Sequence, residues 1–141
     1  MLPPPDPPTG APAARILSEF PPEPSLKTFA QALDLVDDPD RIAEYRRHHE
    51  KAWPEVVKGL RAIGITRMRI WLAGTRLFMT FEAPDGFEPD RDYQAYAEDP
   101  RCDEWDRLMR AYQRRIPSAD PADGGWWTPM ELVFDLEEQC G

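Results

Sequence analysis

The chain has 141 residues and a formal net charge of −9, enough length for one domain and too little for two comfortable ones. That charge argues against a nucleic-acid partner and against an anionic membrane surface, because both need clustered lysine and arginine. No apolar run reaches membrane-spanning length, while a hydrophobic fraction of 41% suits a globular domain with a real core.

Seventeen prolines are spread unevenly, with Pro3, Pro4, Pro5, Pro7, Pro8, Pro12, Pro21, Pro22 and Pro24 crowded near the start. Such a segment favours extended polyproline backbone and packs no core. It also lacks the basic start and apolar run of a secretory signal. The expected organisation is a disordered leader over residues 1–26, one domain over 27–137 and a tail over 138–141. Ile16, Leu17 and Phe20 are the leader residues able to dock on the domain.

Thr28 to Val36 alternates, with Phe29, Leu33 and Leu35 on one face, and reads as a strand. Asp37-Asp38-Pro39-Asp40 stops it and supplies N-cap chemistry for a helix running to about Arg61. Pro54 must kink or divide that helix, since proline removes a backbone donor and clashes with the preceding turn. Gly64 closes it. Thr66 to Ala73 and Arg76 to Glu82 form a hairpin around Gly74-Thr75. In its first strand Met68, Ile70 and Leu72 oppose Arg67, Arg69 and Trp71. Helical patterns follow at Asp90 to Ala97 and Cys102 to Arg115. A polar loop from Pro117 to Gly125 leads through Trp126-Trp127 to a last strand, Met130 to Leu136.

The order β-α-β-β-α-β is that of an α+β, ferredoxin-like domain. Its helices cover one sheet face, yet Trp71 and Phe78 load the other. The simplest cover for that face is a second copy, so a homodimer is expected. Cys102 and Cys140 have no metal-type spacing and read as free thiols in a reducing compartment, the cytoplasm.

One helical stripe carries the chemistry. Ile42, Tyr45, His49, Trp53 with Ala52, and Val56 recur at spacings of three and four. A core-facing stripe should be apolar, but this one holds a phenol and an imidazole one turn apart. His49 can move a proton near neutral pH. His48 lies about 100° round the helix and is expected to face water.

Tyr45-x-x-x-His49 followed by Trp53-Pro54-Glu55 resembles the L-rhamnose mutarotase family, which includes L-fucose mutarotases. Gly64-Ile65, Gly74-x-Arg76-Leu77-Phe78-Met79, Trp105-x-x-Leu108-Met109 and Val133-Phe134-Asp135-Leu136 continue the resemblance from Thr28 to Leu136. It implies dimeric ferredoxin-like subunits in an α/β-barrel-type assembly. It also implies His49 as proton donor, Tyr45 as a substrate-contacting tyrosine, and Trp105, with Trp53, in a monosaccharide pocket.

Anomer exchange needs only paired acid and base groups, so it requires no metal or cofactor. The chain shows no phosphate loop, metal cluster or nucleophile motif either. Aromatic rings suit sugar C–H faces. The chain departs from the rhamnose-type pattern at Asp106, where a second tryptophan is expected, and at Met68, where a tyrosine is expected. Both departures resemble L-fucose-type members and make these two residues substrate-binding candidates. Trp126-Trp127 either caps the pocket or buries the approach to the last strand. Two alternatives remain: another small isomerase- or monooxygenase-like enzyme on the same scaffold, and a sugar-binding module without turnover.

Overall fold

The computed structural model describes residues 25–120 and 126–139. Most of the expected leader, with Ile16, Leu17 and Phe20, lies outside the described residues, as does Cys140. β1 spans Leu26–Leu35, β2 Thr66–Ala73 and β3 Arg76–Pro84, with two short pieces, β4 at Gln113–Arg114 and β5 at Thr128–Pro129. The helices are α1 (Pro39–Glu50), α2 (Pro54–Ala62), α3 (Pro89–Ala97), α4 (Pro100–Arg110) and a terminal turn, α5 (Leu136–Gln139). None is long and apolar enough to cross a membrane.

The sheet is antiparallel, in the order β2-β3-β1-β4, with β5 also pairing β1. β1 and β3 pair from Leu26 opposite Pro84 to Asp34 opposite Arg76. This register puts Phe29, Leu33, Leu77 and Phe81 on one face, the alternation expected of strands covered on one side. The β2–β3 register slips between Thr66 and Arg69, and Arg67 there adopts φ 49°, a left-handed conformation that marks the bulge.

Asp38 caps α1 by accepting from the Asp40 N–H at 3.0 Å. The proline divides the long helix rather than kinking it: α1 ends at Glu50, Trp53 becomes the extended residue before α2, and Pro54 opens α2 where its missing donor costs nothing. Gly64, at φ 97°, closes α2 with its N–H on the Arg61 carbonyl. The helices pack closely at Gly59, where an added Cβ would lie 2.9 Å from Cys102 Sγ and 3.1 Å from the Tyr96 ring. The buried Cys102 thiol donates to the Glu55 carbonyl at 3.4 Å.

Two expected elements change. The last helix stops at Arg110 rather than Arg115. Its chain turns back so that Gln113 and Arg114 pair with Leu35 and Asp34, and the Tyr112 carbonyl accepts from Val36 N–H at 2.9 Å. The buried end of β1 needs an edge partner more than the helix needs another turn. The last strand is also misplaced. Pairing with β1 ends at Pro129, followed by one bond from Met130 N–H to the Ala30 carbonyl at 2.8 Å. Residues 130–135 then form neither strand nor helix, leaving Leu132, Val133 and Phe134 exposed at 72%, 88% and 63%. Their alternation is a strand pattern, but among the described residues no strand pairs with them.

Candidate active site

α1 and α4 bring the aromatic and imidazole groups together. Tyr45 is buried, and its ring lies 4.3 Å from that of His49. His49 meets the Trp105 ring edge-on at 5.3 Å, and Trp105 meets Trp53 at 5.2 Å. The i, i+4 spacing on α1 and the inward turn of α4 are sufficient to build this contact.

Hydrogen bonds fix the chemistry of the pair. His49 Nδ1 lies 2.9 Å from the Tyr45 carbonyl oxygen. A carbonyl only accepts, so Nδ1 carries the hydrogen and neutral His49 presents the Nε2 lone pair. Burial, the dominant effect, lowers the His49 pKa; the Tyr45 carbonyl opposes this, and neighbouring His48 adds to it. The imidazole is therefore a neutral base at pH 7. Burial pushes the Tyr45 hydroxyl up to about 12, while a hydrogen bond with the Gln113 side chain pulls it down. Tyr45 thus remains a hydrogen-bond donor at neutral pH.

Met68 and Asp106 sit apart from this contact. Met68 packs on the adjoining cluster of Ile65, Met79, Phe81, Ala83 and Phe87. Asp106 faces α3, where Tyr96 Oη approaches its Oδ1 at 3.4 Å. Burial raises its carboxyl to about 6, against the downward pull of Arg110 and the Tyr96 hydroxyl. That carboxylate, after burial, helps raise the Tyr93 hydroxyl. Tyr93 packs against both clusters and so links the two halves. Trp53 has Arg101 stacked on one ring face at 3.9 Å. It also lines an open groove of about 660 Å³ with Pro100, Glu104, Arg107 and Leu108, a groove that neither histidine borders. Trp127 packs on both core clusters, whereas Trp126 is exposed.

His48 departs from expectation. It is half-buried rather than solvated, its Nε2 lying 3.3 Å from Tyr112 Oη. The turn that ends α4 early brings Tyr112 over this side of α1. Two further residues escaped the sequence reading. Gln113, taken as helical, reaches Tyr45. Gln31 is only 8% exposed and pairs with Met79 on the covered face. Its parity with Phe29, Leu33 and Leu35 was the available signal. Among the described residues, no three His, Cys, Asp or Glu side chains group as a metal site.

The family model for L-rhamnose mutarotase matches residues 28–136. The chain belongs to that family. It is 34% identical over 116 residues to an L-fucose mutarotase of Xanthomonas campestris pv. campestris, covering 81% of this chain and 91% of the relative. It is 32% identical over 101 residues to an L-rhamnose mutarotase of Acidiphilium cryptum, covering 70% and 89%. A UPF0734 protein of Dictyostelium discoideum is 48% identical over 113 residues, covering 79% and 90%. A crystal structure of an L-rhamnose mutarotase from Formosa agariphila superposes with a TM-score of 0.56 at 19% identity, over 78% of this chain and 98% of that one. This last likeness speaks for the fold. As a member of the family the chain is a sugar mutarotase, an isomerase that needs a proton-transfer site rather than a redox or phosphoryl-transfer site.

Proposed function

We propose that this mutarotase exchanges the α and β pyranose anomers of a 6-deoxy-L-hexose, L-fucose ahead of L-rhamnose. The observation that carries the reading is the buried Tyr45–His49 pair against Trp105, with the imidazole neutral and its lone pair on Nε2. His49 takes the proton of the anomeric hydroxyl as the ring C–O bond breaks, and a second group protonates the ring oxygen. Rotation about the bond next to the new carbonyl exposes its other face, and the steps reverse. His49 is then the proton donor on closure, the role the family resemblance implies. Tyr45 holds a sugar oxygen through its hydroxyl, and Trp105 and Trp53 shape the apolar wall. Met68 and Asp106, in place of a tyrosine and a second tryptophan, favour L-fucose.

The catalytic domain covers residues 27–137 and acts in the cytoplasm as a homodimer without metal or organic cofactor. The paired rings of Trp71 and Phe78, 5.5 Å apart on the open sheet face, support dimerisation. So do the exposed apolar residues of the segment after β5. Light scattering at micromolar concentration should report twice the chain mass of 16.2 kDa. A clean monomer overturns the dimer.

Saturation-transfer NMR across L-fucose, L-rhamnose, D-galactose and D-glucose tests the activity. Fast exchange of the two deoxy sugars is expected, with L-fucose the faster. Exchange no faster than buffer for both, with folded protein, overturns the proposal.

A further inference from the structure

The sugar reaction needs two proton-transfer groups, and the stripe on α1 supplies one. We infer that His48, held by Tyr112 and Glu44, is the second. This inference rests on the mutarotase reading of the site.

The hydrogen bonds around His48 determine its tautomer. Tyr112 Oη lies 3.1 Å from Glu44 Oε2 and 3.3 Å from His48 Nε2. An ionised carboxylate only accepts, so the single tyrosine proton goes to Glu44. The tyrosine oxygen is then the acceptor for His48, whose Nε2 carries a hydrogen. Neutral His48 therefore has its lone pair on Nδ1. His49 is the reverse, with the hydrogen on Nδ1 and the lone pair on Nε2. Two neighbouring imidazoles thus present opposite nitrogens, each fixed by a separate anchor.

Both rings meet the same indole. His48 and His49 stand edge-on to Trp105 at 6.2 and 5.3 Å, with interplanar angles of 84° and 72°. Repulsion between the two imidazoles disfavours a second positive charge, and this is one of the causes that lower the His49 pKa. With a proton on His48 Nδ1 and the lone pair on His49 Nε2, the pair supplies one acid and one base. In the opening step His49 Nε2 takes the proton of the anomeric oxygen, and that O–H pair becomes the carbonyl π bond. The ring C–O pair passes to the ring oxygen, which takes the proton on His48 Nδ1. Closure returns both protons.

Tyr112 contacts His48 and Glu44, His49 adjoins His48 on the helix, and Arg41 and Arg47 act on the Tyr112 hydroxyl. Burial is the first cause raising the Tyr112 hydroxyl, followed by Glu44, with Arg41 and Arg47 opposing. Tyr112 therefore stays protonated through the working range, and the chain from Glu44 to His48 stays intact.

The test compares wild type, H48Q and Y112F in anomer exchange of L-fucose and L-rhamnose between pH 5 and 9, with thermal unfolding as the check on folding. H48Q should lose on the order of 10²-fold in kcat, the usual contribution of one acid-base group, and one limb of the pH profile should disappear. Y112F keeps the imidazole but frees Nε2, so it should lose less and displace the same limb. Nitrogen-15 spectra of the labelled imidazoles should report opposite neutral tautomers for His48 and His49. Wild-type kcat with both limbs intact in folded H48Q overturns the inference. So does a loss of rate with both limbs intact, which is the mark of a purely structural role. If H48Q does not fold, a Y112F profile identical to wild type overturns it. Like tautomers for the two rings also overturn it. Wild type inactive on both sugars removes the mutarotase reading itself, and this assignment with it.

Discussion

The two faces of the sheet obey different rules. On the covered face Leu33, Leu77 and Phe81 are fully buried, and each partner they need comes from the same chain. On the open face Trp71 remains 47% exposed, its ring 5.5 Å from that of Phe78. Polar groups are buried on both sides: Gln31 on the covered face, with Tyr45, His49 and Asp106 on the helices, and Asp34, paired with Arg76, on the other face. Burying such groups costs free energy unless they are used or paired. The covered side is closed by helices of the same chain, while the other side leaves Trp71 exposed, the feature on which the proposed dimer rests.

Breaking the covered face should have the largest effect on stability. Phe81→Ala should destabilise by about 3–5 kcal/mol, the usual cost of removing a buried ring. Trp71→Ser on the open face should cost the isolated subunit under about 1 kcal/mol and abolish dimers in light scattering. Denaturant unfolding of both variants checks the contrast, and equal losses without a change in mass would erase the distinction between the faces.

The helix contact beneath the site sharpens the same comparison. Gly59→Ala places a methyl against Cys102 and the Tyr96 ring, so unfolding should register a loss of about 1–3 kcal/mol from overpacking. Gly74, whose added Cβ would meet nothing, differs in kind: any cost there comes from its left-handed backbone, φ 62°.

Asp106 gives the comparison a pH dependence. Its folded pKa, about 6, lies above the unfolded value near 3.8. The folded state therefore holds the proton more tightly. The resulting stability is fully present below about pH 3.8 and is lost as pH rises towards 6. Asp106→Asn should stabilise the protein at pH 7 by about 1 kcal/mol, after discounting for solvent access, and the gain should vanish near pH 4. A pH-independent difference would mean that the carboxyl is not held protonated by burial. The smallest effect belongs to residues 1–24. Their composition offers little apolar surface to pack, so deleting them should lower Tm by less than about 5 °C, which for this size of domain is roughly 1 kcal/mol.

What the sequence made legible follows from periodicity. The Tyr45–His49 stripe, the hairpin turn at Gly74 and the division at Pro54 are local signals, and the structure keeps them. The fate of Tyr112 and Gln113 was not local. Their pattern continues a helix, and only the unfilled edge of β1 explains the turn. His48 reads as solvent-facing for the same reason, since the group that covers it arrives from 64 residues away. Met130 to Leu136 alternates like a strand because its side chains suit one, but among the described residues it pairs with no strand beyond Met130. Gln31 was legible by parity and hidden by its polarity.

The central claim is that a neutral, buried His49 exchanges protons with a pyranose. Saturation-transfer NMR of L-fucose anomers at pH 7 with wild type and His49→Ala side by side tests it most directly. Fast exchange by wild type and a loss of about 10²–10⁴-fold in the variant, with its thermal unfolding still cooperative, is the expected result. A folded His49→Ala that exchanges anomers as fast as wild type would contradict the account.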